Sequence, residues 1–237
     1  MQFLKGHWQL FLITALVFAL WNSYAILPLK ILVVFLHELS HGLAAVLTGG
    51  SIETISLNPQ QGGHAITRGG NIFLIFSAGY IGSLLLGVIL FLIALRTHAD
   101  RAVMALFGVL MLLVTALYIR DSFALLFCIA SGLGMLAVAR FLPRDVNDLL
   151  LRVIGLTSIL YAPYDIFSDT IARSELRSDA FMLAERFGGS AMLWGAIWLI
   201  ISLVVIALCA RYVFGQNSNI SFGALRSTPN TGRPSRP

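Results

Sequence analysis

Three residues near the start of the chain have the types and spacing of a metal-dependent hydrolase. They are His37, Glu38 and His41, set within "FLHELSHGLAAVLTGG" at 35–50. On an α-helix, residues four apart share a face, so both imidazoles can reach one metal ion. Zinc takes nitrogen ligands in a tetrahedral site. Glu38 is placed to hold a water activated by that metal and to take its proton. The surroundings are apolar, and a charge at mid-bilayer costs roughly 2.5–3.5 kcal/mol on insertion scales. A bound cation offsets that cost more simply than packing of a polar helix face inside a bundle. Gly42, Ala44 and Ala45 are small enough for close helix approach, and Gly49-Gly50 ends the helix.

A carboxylate oxygen as third ligand would leave the fourth position for water. Three aspartates in "APYDIFSDTIARSELRSDA", 162–180, are available: Asp165, Asp169 and Asp179. Asp165 is favoured, because the apolar run ends there and Pro163 can break the helix and let the chain bend inward. Asp169 is four residues from Asp165 and could share its helix face, but Asp169 and Asp179 lie among Arg173, Glu175 and Arg177 and read as charges on a solvated face. A straight helix would hold Asp165 away from His37, so this assignment requires the span before it to be broken, short or re-entrant. Asn58 and His64 flank Gly62-Gly63 and are candidates for substrate contact, although His64 also reads as a plain loop residue and Asn58-Pro59 as an ordinary turn signal.

The elements that must position these residues are membrane spans. Of 237 residues, 58% are hydrophobic and 11% charged, against about 25% charged in soluble domains. The net charge of +5 is spread between apolar runs and forms no basic stripe with aromatic platforms. The expected partner is therefore a lipid bilayer and not a nucleic acid. Apolar runs of about 20 residues fall at 8–27, 30–48, 71–95, 102–119, 122–140, 147–166 and 190–214. The fold class is an all-α polytopic membrane protein of about six to seven transmembrane helices, with a short β-like hairpin after the HExxH helix. That hairpin is expected within 49–67, where β-branched residues alternate between flanking glycines. The stretch 165–189 has apolar residues at helical intervals and is expected to be an amphipathic helix near the membrane surface. Residues 1–214 form the membrane-embedded unit, and 215–237 a disordered, polar, basic tail. Cys128 and Cys209 lie far apart in apolar runs and read as buried thiols. Lys30, Arg96, Arg101, Arg140, Arg144, Arg211 and the tail arginines fall on one side. Lys5, Arg68, Arg120, Arg173, Arg177 and Arg186 fall on the other, offset by several carboxylates. The expectation is a multi-pass protein of the cell membrane with its C-terminal tail in the cytoplasm.

The run "HELSHGLAAVLTGGSIETISLNPQQGGHAIT", followed by "SAGYIGSLLLG", resembles the site-2 protease family of intramembrane zinc metalloproteases, and most closely its M50B-like branch. The matching positions are His37 to His41, Gly49-Gly50, Gly62-Gly63 and Ala78-Gly79. The resemblance is specific over about residues 30–90 and looser to about 190. It implies Zn2+ as cofactor, Glu38 as catalytic residue, and hydrolysis of transmembrane or membrane-associated protein substrates by zinc-activated water. It also implies an aspartate as third ligand in a distant segment. Asp165, following Pro163 and an aromatic residue, is similar to that aspartate in local pattern, with Ile166 where the family has glycine. Two other functions compete: a non-catalytic membrane scaffold with a structural metal site, and metal transport. Transport needs polar groups aligned on several spans, and 102–119 and 122–140 offer very few.

Overall fold

Within a bilayer no water satisfies the backbone, so long apolar runs close their hydrogen bonds internally as helices. The computed structural model describes residues 2–173, 175 and 177–220, and in it the runs do so. Helix α1 spans Gln2–Ala19 and α2 Leu27–Leu47; strands β1, Ser51–Leu57, and β2, Gly63–Arg68, follow. Then come α3, Ile72–Arg96; α4, Asp100–Tyr118; α5, Ser122–Phe141; α6, Arg144–Phe167; α7, Asp179–Phe187; and α8, Ala191–Phe214. Between α6 and α7 the chain makes a wide π-helical turn at Ser168–Ala172.

Among the described residues six helices are long and apolar enough to cross a membrane: α2, α3, α4, α5, α6 with its π-helical turn, and α8. The expected run at 8–27 is not one of them. Its helix ends at Ala19, and α2 restarts at Leu27 with Pro28 in its first turn, where a missing N–H costs nothing. Large apolar side chains of α4, α5 and α8, including Leu106, Leu126 and Ile200, face outward, as lipid contact requires.

Helix α2 is the centre of the bundle. It packs on α3, on both strands and on α6, and 72% of its apolar window is buried, against 22% for α5 and α8. The only helix carrying HExxH is thus the one most shielded from lipid. Helices α3 and α6 pack closely at Gly87 and Gly155, where an added Cβ would come within 2.7 Å of Ser158 Cβ and of the Gly87 carbonyl oxygen respectively. The Ser158 hydroxyl donates to the Ser83 carbonyl beside this contact at 2.8 Å.

The expected hairpin forms. Strands β1 and β2 pair antiparallel, Ser51 opposite Arg68 and Leu57 opposite Gly63, with an irregularity between Ile52 and Thr54. The other edge of β1 meets the α4–α5 connection through a parallel bridge from Ile55 to Ile119.

Further expectations are corrected. Pro163 lies inside α6 and does not break it; the departure from α-geometry comes five residues later, in the π-helical turn. The stretch 165–189 is not one amphipathic helix but the end of α6, that turn and the separate α7. Lys5 sits beside the C-terminal segment, because the Asn219 amide donates to its carbonyl at 2.6 Å. It therefore belongs with Arg96, whose guanidinium donates to the Tyr212 carbonyl, and not on the opposite side. The first tail residues are pinned as well: His7 Nδ1 bonds the Ser218 hydroxyl at 2.7 Å, and Arg152 donates to the Ser218 carbonyl. The remainder of the expected disordered tail, 221–237, lies outside the described residues.

Candidate metal centre

His37 and His41 occupy one face of α2, one turn apart, with ring centroids 4.8 Å from each other. His41 is buried and His37 nearly so. The His41 ring is fixed from behind: its Nδ1–H donates to the Ile75 carbonyl of α3 at 2.7 Å. That bond sets the tautomer and leaves the Nε2 lone pair free toward the interior.

The carboxylate that meets both rings is Asp179. Its Oδ2 lies 3.1 Å from His37 Nε2 and 3.1 Å from His41 Nε2. Asp179 is the first residue of α7, which Ser178 caps by accepting the Phe181 N–H. A carboxylate is favoured at this positive helix end. Helix α7 is held down by Ala180 and Leu183, which pack with Tyr80 of α3, Ile166 of α6 and Trp198 of α8. Burial alone would push the Asp179 carboxyl up; the positive charge and hydrogen bonds of His41 and His37 in their protonated forms more than offset this and hold it below the usual carboxylate range.

His37, His41 and Asp179 could hold a metal ion, each offering one ligand atom, all within 4.8 Å of one another. Zinc ligands at about 2.0–2.1 Å sit roughly 3.3 Å apart in a tetrahedron, close to the 3.1 Å from Asp179 Oδ2 to each histidine nitrogen. The donor chemistry fits too. With His41 protonated only at Nδ1, its Nε2 lone pair faces a carboxylate oxygen, and a cation shared between them, a proton or a metal ion, satisfies both. The space is kept by Gly79 of α3, where an added Cβ would stand 2.5 Å from His41 Nε2 and still closer to His37 Nε2.

Glu38 is buried beside the cluster. Gly63 of β2 packs on it so tightly that a Cβ there would come within 2.6 Å of Glu38 Oε1. His37, Glu38, His41 and Asp179 line a cavity of about 810 Å3, whose walls include β2, the hairpin loop, the end of α6 and the approach to α7. The family model described as Peptidase M50B-like matches residues 10–209, which takes in α2, the hairpin, α6, α7 and most of α8. The chain belongs to the Peptidase M50B-like family. Searches of curated proteins and of solved structures returned no match.

Membership in this peptidase family indicates a metalloprotease. Asp165, favoured from the sequence as third ligand, is not in the cluster, although it lines the same cavity. The α6 backbone stays helical through Asp165, whereas Asp179 comes from the separate helix α7. Asp169 is engaged elsewhere: it accepts the Tyr80 hydroxyl at 3.1 Å and pairs with Arg173 at 2.6 Å. Asn58 lines the cavity, and its Oδ1 accepts the Gln60 and Gly62 N–H groups, holding the hairpin loop in shape. His64 lines the cavity from β2, opposite Ser56 of β1. Tyr80 and Ile75 were missed in the sequence. Both sit within one turn of Gly79, the second residue of the Ala78-Gly79 pair, and that spacing was the available signal.

Proposed function

We propose that this protein is an intramembrane zinc endopeptidase that hydrolyses peptide bonds of transmembrane or membrane-associated proteins. The observation that carries the reading is a single carboxylate oxygen, Asp179 Oδ2, standing 3.1 Å from the Nε2 atoms of both HExxH histidines. His37, His41 and Asp179 would hold Zn2+. When bound, zinc supplies Lewis acidity, polarising the scissile carbonyl and lowering the pKa of water toward neutrality.

Glu38 is the general base. It takes the proton of the attacking water and delivers it to the leaving amine, so that one carboxylate serves both halves of the reaction. Gly63 presses on Glu38 and fixes where its oxygens point. The Ile75 carbonyl keeps His41 in the tautomer that presents Nε2 to the metal. A helical substrate must unwind first, since its amides are bonded internally. Strand β2 offers a pairing partner for the unwound stretch: β1 occupies one of its edges, and β2 itself lines the cavity. An extended substrate segment joining the other edge would exchange its helical hydrogen bonds for strand pairing beside Glu38. Asn58 and His64 stand along that path and are proposed as substrate contacts.

The ligand assignment is tested by metal content. Purified Asp179→Asn is expected to lose stoichiometric zinc while Asp165→Asn keeps it. The opposite pattern would return the third-ligand role to Asp165.

A further inference from the structure

Metal ligands must be held within about 0.2 Å of their working positions, and a histidine ligand usually gets this from a hydrogen bond at its other ring nitrogen. His41 has that bond, to the Ile75 carbonyl. Among the described residues His37 has none; its one hydrogen-bond partner is Asp179, on the metal-facing Nε2. What stands against the His37 ring is Tyr80. The two rings meet edge to face, centroids 4.8 Å apart at 83°.

Tyr80 is itself immobilised. It is 2% exposed. Its ring lies 5.3 Å from that of Trp198, and its hydroxyl donates to Asp169 Oδ2 at 3.1 Å. The other oxygen of Asp169 takes the Arg173 guanidinium at 2.6 Å. Asp169 lies in the π-helical turn, the kind of local widening that re-aims side chains at functional sites. Tyr80 also belongs to the apolar cluster that holds α7, the helix bearing Asp179, through Ala180 and Leu183.

We propose that Tyr80 is the positioning residue of His37. Its ring, tethered by Asp169 and Arg173, fixes the orientation of the His37 ring by packing, where the Ile75 carbonyl fixes His41 by a hydrogen bond. This rests on the reading of His37, His41 and Asp179 as a zinc site. It gives Asp169 a role as anchor, and it keeps the Tyr80 hydroxyl out of the chemistry, because its proton is committed to Asp169.

The test is zinc affinity of the full chain in detergent, measured by competition with a chromogenic chelator, together with the visible spectrum of the cobalt-substituted protein. Tyr80→Leu removes the wall and is expected to weaken zinc binding by about 10–100-fold, the usual effect of losing an outer-shell partner, and to alter the cobalt bands. Tyr80→Phe and Asp169→Ala each cut only the tether. They are expected to weaken binding less, and the double variant no more than either alone, which is the signature of one shared interaction. If Tyr80→Leu does not fold, that cycle carries the test.

Wild-type zinc affinity in Tyr80→Leu, or additive effects in the cycle, would overturn the proposal alone. Turnover lost in Tyr80→Phe at full zinc occupancy would overturn it too, by making the hydroxyl a catalytic group. A wild-type protein that takes up no zinc would overturn the underlying reading and the proposal with it.

Discussion

Gly79→Ala offers a sharp test of the site, because it changes one hydrogen to a methyl at the point where a metal would sit. The new Cβ would stand 2.5 Å from His41 Nε2 and 2.6 Å from His41 Cε1. Ordinary non-bonded contacts to carbon begin near about 3.5 Å, so ring or helix must move by about 1 Å. Metal sites tolerate ligand displacements of only about 0.2 Å. The expected result is a loss of zinc affinity of about 100-fold or more, or about 2.8 kcal/mol at 1.4 kcal/mol per tenfold. Gly134→Ala on α5 is the matched control, since a Cβ there meets nothing within 4 Å and replaces glycine in a helix interior, a change that favours the helix by about 0.5–1 kcal/mol. Chelator competition on both purified variants, with thermal melts in the presence of chelator to verify folding, makes the comparison. Wild-type affinity in a folded Gly79→Ala protein would refute the placement of the metal among His37, His41 and Asp179, against Gly79.

Two further outcomes are expected. Gly63→Ala should leave zinc bound but displace Glu38, whose Oε1 would lie 2.6 Å from the new methyl; a displacement near 1 Å can cost about 100-fold in rate, so kcat should fall by about 10-fold or more at full zinc occupancy. At the other end of α6, Arg152→Leu leaves Asp148 buried without the guanidinium that now meets it at 2.5 and 2.7 Å, and frees the Ser218 carbonyl. A destabilisation of about 3–5 kcal/mol is expected, read as a lowered melting temperature, with much of it recovered by Asp148→Leu in the same chain.

The sequence made the helices, the hairpin and the HExxH face readable for separable reasons. Apolar length reports six of the seven expected spans, the run at 8–27 being the exception, and Gly49-Gly50 with alternating β-branched residues reports the hairpin. The i, i+4 spacing places both imidazoles on one side of α2 whatever surrounds it. The carboxylate that meets both histidines was not readable in the same way. Asp179 follows Arg173, Glu175 and Arg177, and locally that is the signature of a solvated face. Its burial is a tertiary event: Ala180 and Leu183 go under Trp198 and Tyr80 and carry Asp179 in with them. The trace left in the sequence was Ser178 as helix cap, followed by Asp179 and Leu183 four apart on one stripe. Pro163 misled because, in a membrane span, neighbouring helices re-satisfy the backbone that proline leaves open, and α6 runs through it.

The most direct test of the central claim uses Glu38→Gln, which keeps the shape of the side chain and removes its basicity. Membranes from cells expressing wild-type or Glu38→Gln protein would be compared for newly formed protein N-termini, with zinc content measured on the same purified proteins. Equal zinc in both, with new termini near membrane-spanning segments present only in the wild type, is the expected result. The same termini in the zinc-loaded Glu38→Gln membranes would contradict the account, and so would no Glu38-dependent termini in either, which would leave the metal a structural role.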